Sequence, residues 1–157
     1  MKIFNKARWA VKLGFQYWVI RRSGLFDREH YLRSLDSSAT VRHALVHYVL
    51  HSWRTYVDPR AEFSTQFYLR QRHYLNTVVH QHRVSPLYHY LRFGQKENLR
   101  PNPHFDPAFY LRQNPDVAES GMDPLLHYVR FGRDEGRQPS SVSVVQSELG
   151  THSQSDS

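Results

Sequence analysis

Apolar and aromatic residues recur along this chain at the three- and four-residue spacing of amphipathic helices. In one segment they fall on a single helical stripe formed by Val41, Ala44, Leu45, Tyr48 and Val49. A corresponding stripe nearer the C-terminus consists of Leu125, Tyr128, Val129 and Gly132. We expect both stripes to face the core. Because few strand signals compete with these stripes, the pattern predicts an all-α fold.

The same motif occurs in three divergent copies. Each copy begins at a Phe that precedes a polar residue, and these pairs are Phe26-Asp27, Phe63-Ser64 and Phe105-Asp106. An aromatic-Leu-Arg element follows in each copy and ends at Arg33, Arg70 and Arg112. Further on, a His-Tyr pair recurs at His47-Tyr48, His89-Tyr90 and His127-Tyr128. Repeat lengths of about 40 residues are typical of helical-hairpin arrays.

Turn and capping residues divide each copy into short helices. Asp106 and Asp123 each precede a proline, an arrangement that suits an N-cap followed by the first helical position. Asn114-Pro115 predicts a break between two helical pieces. Gly121 and Gly132 lie where a left-handed residue would end a helix.

These signals predict three segments. Residues 1–22 form a basic amphipathic docking helix, and residues 23–140 form a three-repeat helical domain with copies near 25–61, 62–102 and 103–140. Since one helical hairpin cannot bury its apolar face alone, we expect the helix-turn-helix copies to stack in a short solenoid-like array. The first copy is the most divergent, with Ser52 in place of a glycine. Residues 141–157 are Ser-rich and predict a disordered tail.

The N-terminal segment carries most of the positive charge. Residues 1–22 contain six basic side chains and no acid, whereas residues 23–140 contain 15 basic and 12 acidic ones. On a helical wheel one apolar stripe is formed by Phe4, Ala7, Val11, Phe15 and Trp18. A second, nearly opposite stripe is formed by Trp9, Leu13, Tyr17 and Ile20, and polar residues Asn5, Arg8, Lys12 and Gln16 run between the two.

One stripe can pack on the first copy, which leaves the other in need of cover. A cap helix inside the domain or a dimer would provide it. A membrane surface would also provide it, with aromatic rings at the lipid interface and basic side chains on anionic headgroups. The residues predicted to dock on a membrane or partner are Lys6, Arg8, Trp9, Lys12 and Tyr17.

Composition narrows the classes of function. The chain has 22 aromatic residues, enough for a core, and no cysteine, which excludes disulfides, thiolate zinc sites and cysteine nucleophiles. The longest uncharged run near the N-terminus, residues 13–20, is too short for a secretory signal or a membrane span. We therefore expect a cytoplasmic protein, with peripheral attachment to the inner membrane as an option.

The third copy, FDPAFYLRQNPDVAESGMDPLLHYVRFGRDEGRQPS, resembles a short repeat found next to bacterial glycosyltransferases that build cell-surface polysaccharides. The resemblance covers residues 20–140 and weakens from the third copy to the first. It implies a non-catalytic accessory or docking module whose partner is a glycosyltransferase or another polysaccharide-assembly protein. The transferase domain of that family is a separate, longer unit, so the chain could also be the remnant of a longer glycosyltransferase.

No catalytic residue, metal site or cofactor is predicted. His43, His47 and His51 recur every fourth residue, but no carboxylate accompanies them on that helix. Asp27, Asp106 and Asp123 are explained as helix caps, and the Asp-x-Asp motif of metal-dependent sugar-nucleotide transferases does not occur. Gly94 and Gly132 belong to isolated turns, so no phosphate-cradling loop is expected.

Two features of the sequence leave binding functions open. Arg33, Arg70 and Arg112 could bind a partner or an anion, because a guanidinium group suits carboxylate and phosphate, or each could cover its own helix. The high isoelectric point and the many aromatic residues raise nucleic-acid binding as the alternative function. That alternative is not favoured, since the repeats are nearly balanced in charge and no nucleic-acid-binding motif appears.

Overall fold

The computed structural model describes residues 2–35 and 41–141, with side chains from residue 9 onward. All regular elements of these ranges are helical, which confirms the all-α prediction. The two isolated β-bridges, Arg60–Phe63 and Asn102–Phe105, join residues of single turns. Beyond residue 141, the tail predicted to be disordered lies outside the described residues. None of the described helices is long and apolar enough to span a bilayer.

Contacts divide the chain into two units, Met1–Leu99 and Arg100–Ser157. The helices of the first unit are α1 (Lys2–Ser23), α2 (Arg28–Ser34), α3 (Ala44–Thr55), α4 (Thr65–Arg70), α5 (Leu75–His82) and α6 (Pro86–His89). Helix α6 continues into a first π-turn, Tyr90–Gly94. The second unit contains α7 (Pro107–Gln113), α8 (Pro115–Ser120), α9 (Pro124–His127) and a second π-turn, Tyr128–Gly132.

The predicted helix caps are present. The carboxylates of Asp27, Asp106 and Asp123 accept hydrogen bonds of 2.7–2.9 Å from the backbone N–H three residues later. Each bond satisfies an N–H group that has no partner within its helix. Gly121 ends α8 with φ of +67°, and Asn114 separates α7 from α8, as the sequence predicts.

The prediction of a left-handed conformation at Gly132 is wrong. Gly132 lies inside the second π-turn, and the positive φ of +70° occurs four residues later, at Gly136. A Cβ atom at Gly132 would overlap the hydroxyl oxygen of Tyr110. The glycine is therefore required by a close approach of a side chain and not by its backbone angle.

In the first unit, Gly94 shows the same close approach of a tyrosine hydroxyl to a glycine, and Ser52 is the exception. A Cβ atom at Gly94 would overlap the hydroxyl oxygen of Tyr68, and the π-turn Tyr90–Gly94 ends there. In the first copy the corresponding residue is Ser52, which has a Cβ atom, and α3 continues as a regular α-helix to Thr55. The π-turn thus accompanies the glycine in both places where a tyrosine hydroxyl approaches the backbone.

Helix α1 packs against α3, α6 and the first π-turn. The wheel placed Gln16 in a polar strip, but its side chain is fully buried. The side-chain oxygen accepts hydrogen bonds from the N–H and hydroxyl of Ser85, at 2.9 and 3.2 Å, and the amide nitrogen donates to the Arg83 carbonyl. Gln16 therefore satisfies the backbone of the turn that connects α5 to α6.

Candidate functional site

Each copy contains one hydrogen bond between a tyrosine and a histidine. The hydroxyl oxygen and Nδ1 are 2.8 Å apart in Tyr31–His47, 2.7 Å in Tyr68–His89 and 2.9 Å in Tyr110–His127. The tyrosine belongs to the aromatic-Leu-Arg element, and the histidine belongs to the later His-Tyr pair. The bond therefore joins the two recurring elements of one copy across 16 to 21 residues of sequence.

An aromatic triad surrounds each of these bonds. In the second copy the rings of Phe63, Tyr68 and Tyr90 have centroids 5.3–5.9 Å apart. Corresponding triads have similar spacings and are formed by Phe26, Tyr31 and Tyr48 in the first copy and by Phe105, Tyr110 and Tyr128 in the third. Such tilted and edge-to-face pairs each contribute roughly 0.5–1.5 kcal/mol beyond the area they bury.

Burial shifts the pKa values of several of these groups. It raises the pKa of Tyr31 and of Tyr110 to about 12, and it raises the pKa of Tyr68 further. Burial lowers the pKa of His89, although the nearby Glu97 carboxylate opposes that effect. In the Tyr31–His47 and Tyr68–His89 pairs these shifts favour the neutral form of both groups.

Two of the three regularly spaced histidines, His47 and His51, lie on α3 and make contacts with neighbouring side chains. The rings of His47 and His51 lie 4.5 Å apart, and Nδ1 of His51 is 2.7 Å from a guanidinium nitrogen of Arg54. Burial lowers the pKa of both histidines, and the Arg54 charge lowers each further. Among the described residues, no three His, Cys, Asp or Glu side chains are grouped as a metal site would need.

The outer face of α1 carries apolar side chains that the fold leaves uncovered. Val11 is 74% exposed, Trp18 54% and Phe15 45%. Phe15 stacks on Trp18 and touches the Tyr88 ring edge-on. Guanidinium groups border this face, with Arg22 placed 5.6 Å from the Trp18 ring centroid and Arg92 placed 5.7 Å from that of Phe15. We call Val11, Phe15, Trp18, Arg22 and Arg92 the aromatic-basic face.

The residues that the sequence predicts to dock on a membrane or partner differ in their contacts and in their exposure. Lys12 donates a 2.6 Å hydrogen bond to the His82 carbonyl, so its charge is directed to the α5–α6 connection. Tyr17 is half-buried, and its hydroxyl accepts a hydrogen bond from Arg21. Trp9 is 40% exposed. The side chains of Lys6 and Arg8 lie outside the described residues.

The recurrent arginines occupy equivalent places in their helices. Arg33, Arg70 and Arg112 lie in the last turns of α2, α4 and α7, and all three are exposed. A cation there interacts favourably with the helix dipole, a surface effect of roughly 0.3–1 kcal/mol. Their position accounts for the recurrence without a ligand, and their role in binding a partner or an anion stays a prediction.

The family models, the curated proteins and the solved structures with which the chain was compared yielded no match. The likeness to the glycosyltransferase-associated repeat thus depends on the motifs quoted from the sequence. The aromatic-basic face, in contrast, was found through the structure. Its three apolar residues, Val11, Phe15 and Trp18, were already indicated by the helical wheel, whereas Arg92 comes from a distant part of the chain.

Proposed function

We propose that this chain is a non-catalytic docking module of bacterial cell-surface polysaccharide assembly, and that α1 docks it on an anionic membrane surface. The sequence motifs of residues 20–140 support the association with glycosyltransferases. The aromatic-basic face supports the docking role. It is the observation that carries the proposal, because another side of the same helix packs against α3, α6 and the first π-turn.

The two sides of α1 differ in chemistry. The inner side buries Gln16 and Ile20 and directs Lys12 to a backbone carbonyl, so the helix is fixed by specific contacts. At about 100° per residue, the outer side is centred roughly 130° away from these residues. Val11 and Trp18, more than half exposed, project from that outer side. A helix fixed in this way presents a pre-formed surface and needs little ordering when it binds.

An anionic membrane matches this surface better than a neutral one. Aromatic side chains are favoured at the lipid interface, and each basic residue near an anionic leaflet adds about 1 kcal/mol. Helix α1 contains six basic residues and no acid. Arg22 and Arg92 lie beside the aromatic rings, where they can reach phosphate groups while the rings enter the interface.

Co-sedimentation with vesicles tests this proposal. The protein should bind vesicles that contain phosphatidylglycerol, bind phosphatidylcholine vesicles weakly, and lose binding as salt rises. Val11→Gln and Trp18→Gln together should lower the apparent affinity at least tenfold. Phe131→Gln is the matched control, because Phe131 is a comparably exposed aromatic residue of the second unit.

Equal binding by the double variant and the unaltered protein would overturn docking through this face. Absence of vesicle binding by the unaltered protein would also overturn it, and a protein partner would then be the occupant to seek. Circular dichroism should show that Val11→Gln/Trp18→Gln keeps its helix content and melting temperature, since both side chains are largely exposed.

The polysaccharide role has its own test. In a bacterium that carries the gene, its deletion should reduce surface polysaccharide, and the unaltered gene should restore it. The Val11→Gln/Trp18→Gln form should restore less. An unchanged amount of surface polysaccharide in the deletion strain would contradict the role in polysaccharide assembly. It would not affect the membrane docking proposal.

We also propose that the three motif copies are copies of one structural repeat. The recurring tyrosine–histidine bond and the recurring aromatic triad support this interpretation. A further common contact supports it as well. The N–H groups of Asp27 and Asp106 donate to the carbonyls of Pro59 and Pro139, closing the first and third copies on themselves at 3.0 and 2.9 Å.

A further inference from the structure

Two adjoining cavities lie between α1 and α3, away from the aromatic-basic face. The first has a volume of about 280 Å³, and the second has a volume of about 210 Å³. Tyr17 and Val46 line both, so the cavities are neighbouring parts of one cleft. Together they reach the lower end of the size range of small-ligand sites, roughly 300–1,000 Å³.

The first cavity is cationic. Arg21 of α1, Arg28 of α2 and Arg42, just before α3, line it together. Among the described residues that line it, none is Asp or Glu. Guanidinium groups bind phosphate with paired hydrogen bonds, and three of them around one cavity favour an anion with several oxygens. Arg21 is already positioned by a 2.9 Å hydrogen bond to the Tyr17 hydroxyl.

The second cavity is apolar. Its remaining walls are Leu13 and Gly14 of α1 with Val49 and Leu50 of α3. Gly14 has open space where a side chain would be, since a Cβ atom there would meet nothing within 4 Å. A glycine within a helix costs roughly 0.5–1 kcal/mol relative to alanine, and here it leaves a groove between two helices unfilled.

We propose that this cleft binds an amphiphile with a phosphate head group and an alkyl chain. The three arginines bind the phosphate, and the chain lies along Leu13, Gly14 and Val46. Charge complementarity determines the head group, and the apolar walls of the adjoining cavity determine the tail. The proposal does not depend on the docking function of α1, because the docking face lies on another side of that helix.

Binding of dodecyl phosphate below its micelle concentration tests the proposal, measured by isothermal titration calorimetry. Inorganic phosphate should bind at least tenfold more weakly, because it lacks the tail. Dodecyl maltoside should also bind at least tenfold more weakly, because its head group is uncharged. Amide shifts in the NMR spectrum should be centred on Gly14 and Val46 when dodecyl phosphate is added.

Variants separate the two halves of the cleft. Gly14→Leu should fill the apolar groove and weaken dodecyl phosphate binding at least tenfold, whereas Gly14→Ala should weaken it less. Both substitutions favour the helix, so the fold should be retained. Replacing Arg21, Arg28 and Arg42 by Gln should abolish measurable binding. The matched control replaces Arg72, Lys96 and Arg130 by Gln, since this removes equal charge from exposed residues that do not line the cleft.

Three results would overturn the proposal. One is equal affinity for inorganic and dodecyl phosphate, and another is unchanged binding by Gly14→Leu. The third is binding to vesicles that contain phosphatidate without binding to monomeric dodecyl phosphate. This last result would assign the interaction to the membrane surface, and the docking function of α1 would stand while the cleft proposal would fall.

Discussion

The hydroxyl of Tyr68 and Nδ1 of His89 share a hydrogen bond of 2.7 Å in the interior of the first unit. Tyr68 is completely shielded from solvent and His89 nearly so. Hydrogen bonds between neutral groups contribute modestly when made, but a buried group that loses its partner costs about 1–3 kcal/mol. Loss of one partner should therefore lower the free energy of unfolding by more than the intact bond contributes to it.

Tyr68→Phe should lower the free energy of unfolding by about 1–3 kcal/mol, because His89 would lose its buried partner. Urea denaturation followed by circular dichroism measures this change. Tyr56→Phe is the matched control, since it removes a hydroxyl that bonds Asn76 at the surface and should change stability by about 0.5 kcal/mol or less. Equal effects of the two substitutions would show that the Tyr68–His89 bond is not energetically special.

Acidification should destabilise the protein through its buried histidines. Burial lowers the pKa of His89 below its ordinary value of 6.5, so the unfolded chain takes up a proton that the folded chain resists. The stability due to this group is complete above pH 6.5 and is lost as pH falls towards the lower folded-state pKa. One such group changes stability by at most about 1.4 kcal/mol per pH unit.

His89→Gln should flatten this pH dependence, because glutamine keeps hydrogen-bonding atoms but does not titrate. The comparison is made with urea midpoints at pH 7.5, 6.5 and 5.5. His82→Gln is the control, since it makes the same exchange of histidine for glutamine at an exposed position. A His89→Gln slope equal to that of the unaltered protein would assign the acid sensitivity to other groups, including His47 and His51.

Alanine should have opposite effects at two glycines. Gly94→Ala should destabilise the first unit by about 1–3 kcal/mol, because its Cβ atom would overlap the Tyr68 hydroxyl in a filled interior. Gly14→Ala should stabilise α1 by roughly 0.5–1 kcal/mol, because the added methyl enters open space on a helix. Thermal unfolding checks both changes. Destabilisation at Gly14 or a neutral result at Gly94 would contradict the packing described for α1 or for the first π-turn.

Local chemistry explains which features could be predicted from the sequence. The caps at Asp27, Asp106 and Asp123 depend on neighbours three residues away, and Gly121 ends its helix by its own backbone angle. The role of Gly132 was not predictable in this way, because its constraint comes from Tyr110, more than 20 residues earlier. The recurrence of a tyrosine and a later histidine in all three copies was the available signal for long-range pairing of this kind.

The candidate binding surfaces show the same limit. The wheel of α1 indicated two apolar stripes but could not decide which one the fold covers. The deciding contacts come from Ser85 and Arg83, distant in sequence, and they draw a polar residue of α1 into the interior. The arginines of the cleft likewise come from three separate parts of the chain, so no regular spacing in the sequence predicts that they lie together.

Gln16 is the residue whose change should release α1 from the rest of the first unit. Gln16→Met keeps the side-chain length but removes the acceptor for the Ser85 N–H and the donor to the Arg83 carbonyl, which are buried or partly buried. The expected loss of stability is about 1–3 kcal/mol. Gln113→Met, at an exposed position of α7, is the control and should be neutral.

Amide hydrogen exchange of the Gln16→Met variant then distinguishes two mechanisms. If Gln16 mainly fixes the helix, protection should fall in α1 and in the α5–α6 connection while that of α4 persists. If protection instead falls equally throughout the unit, α1 is an inseparable part of the core, and the interpretation of its outer side as the exposed face of a separately fixed helix would have to be abandoned.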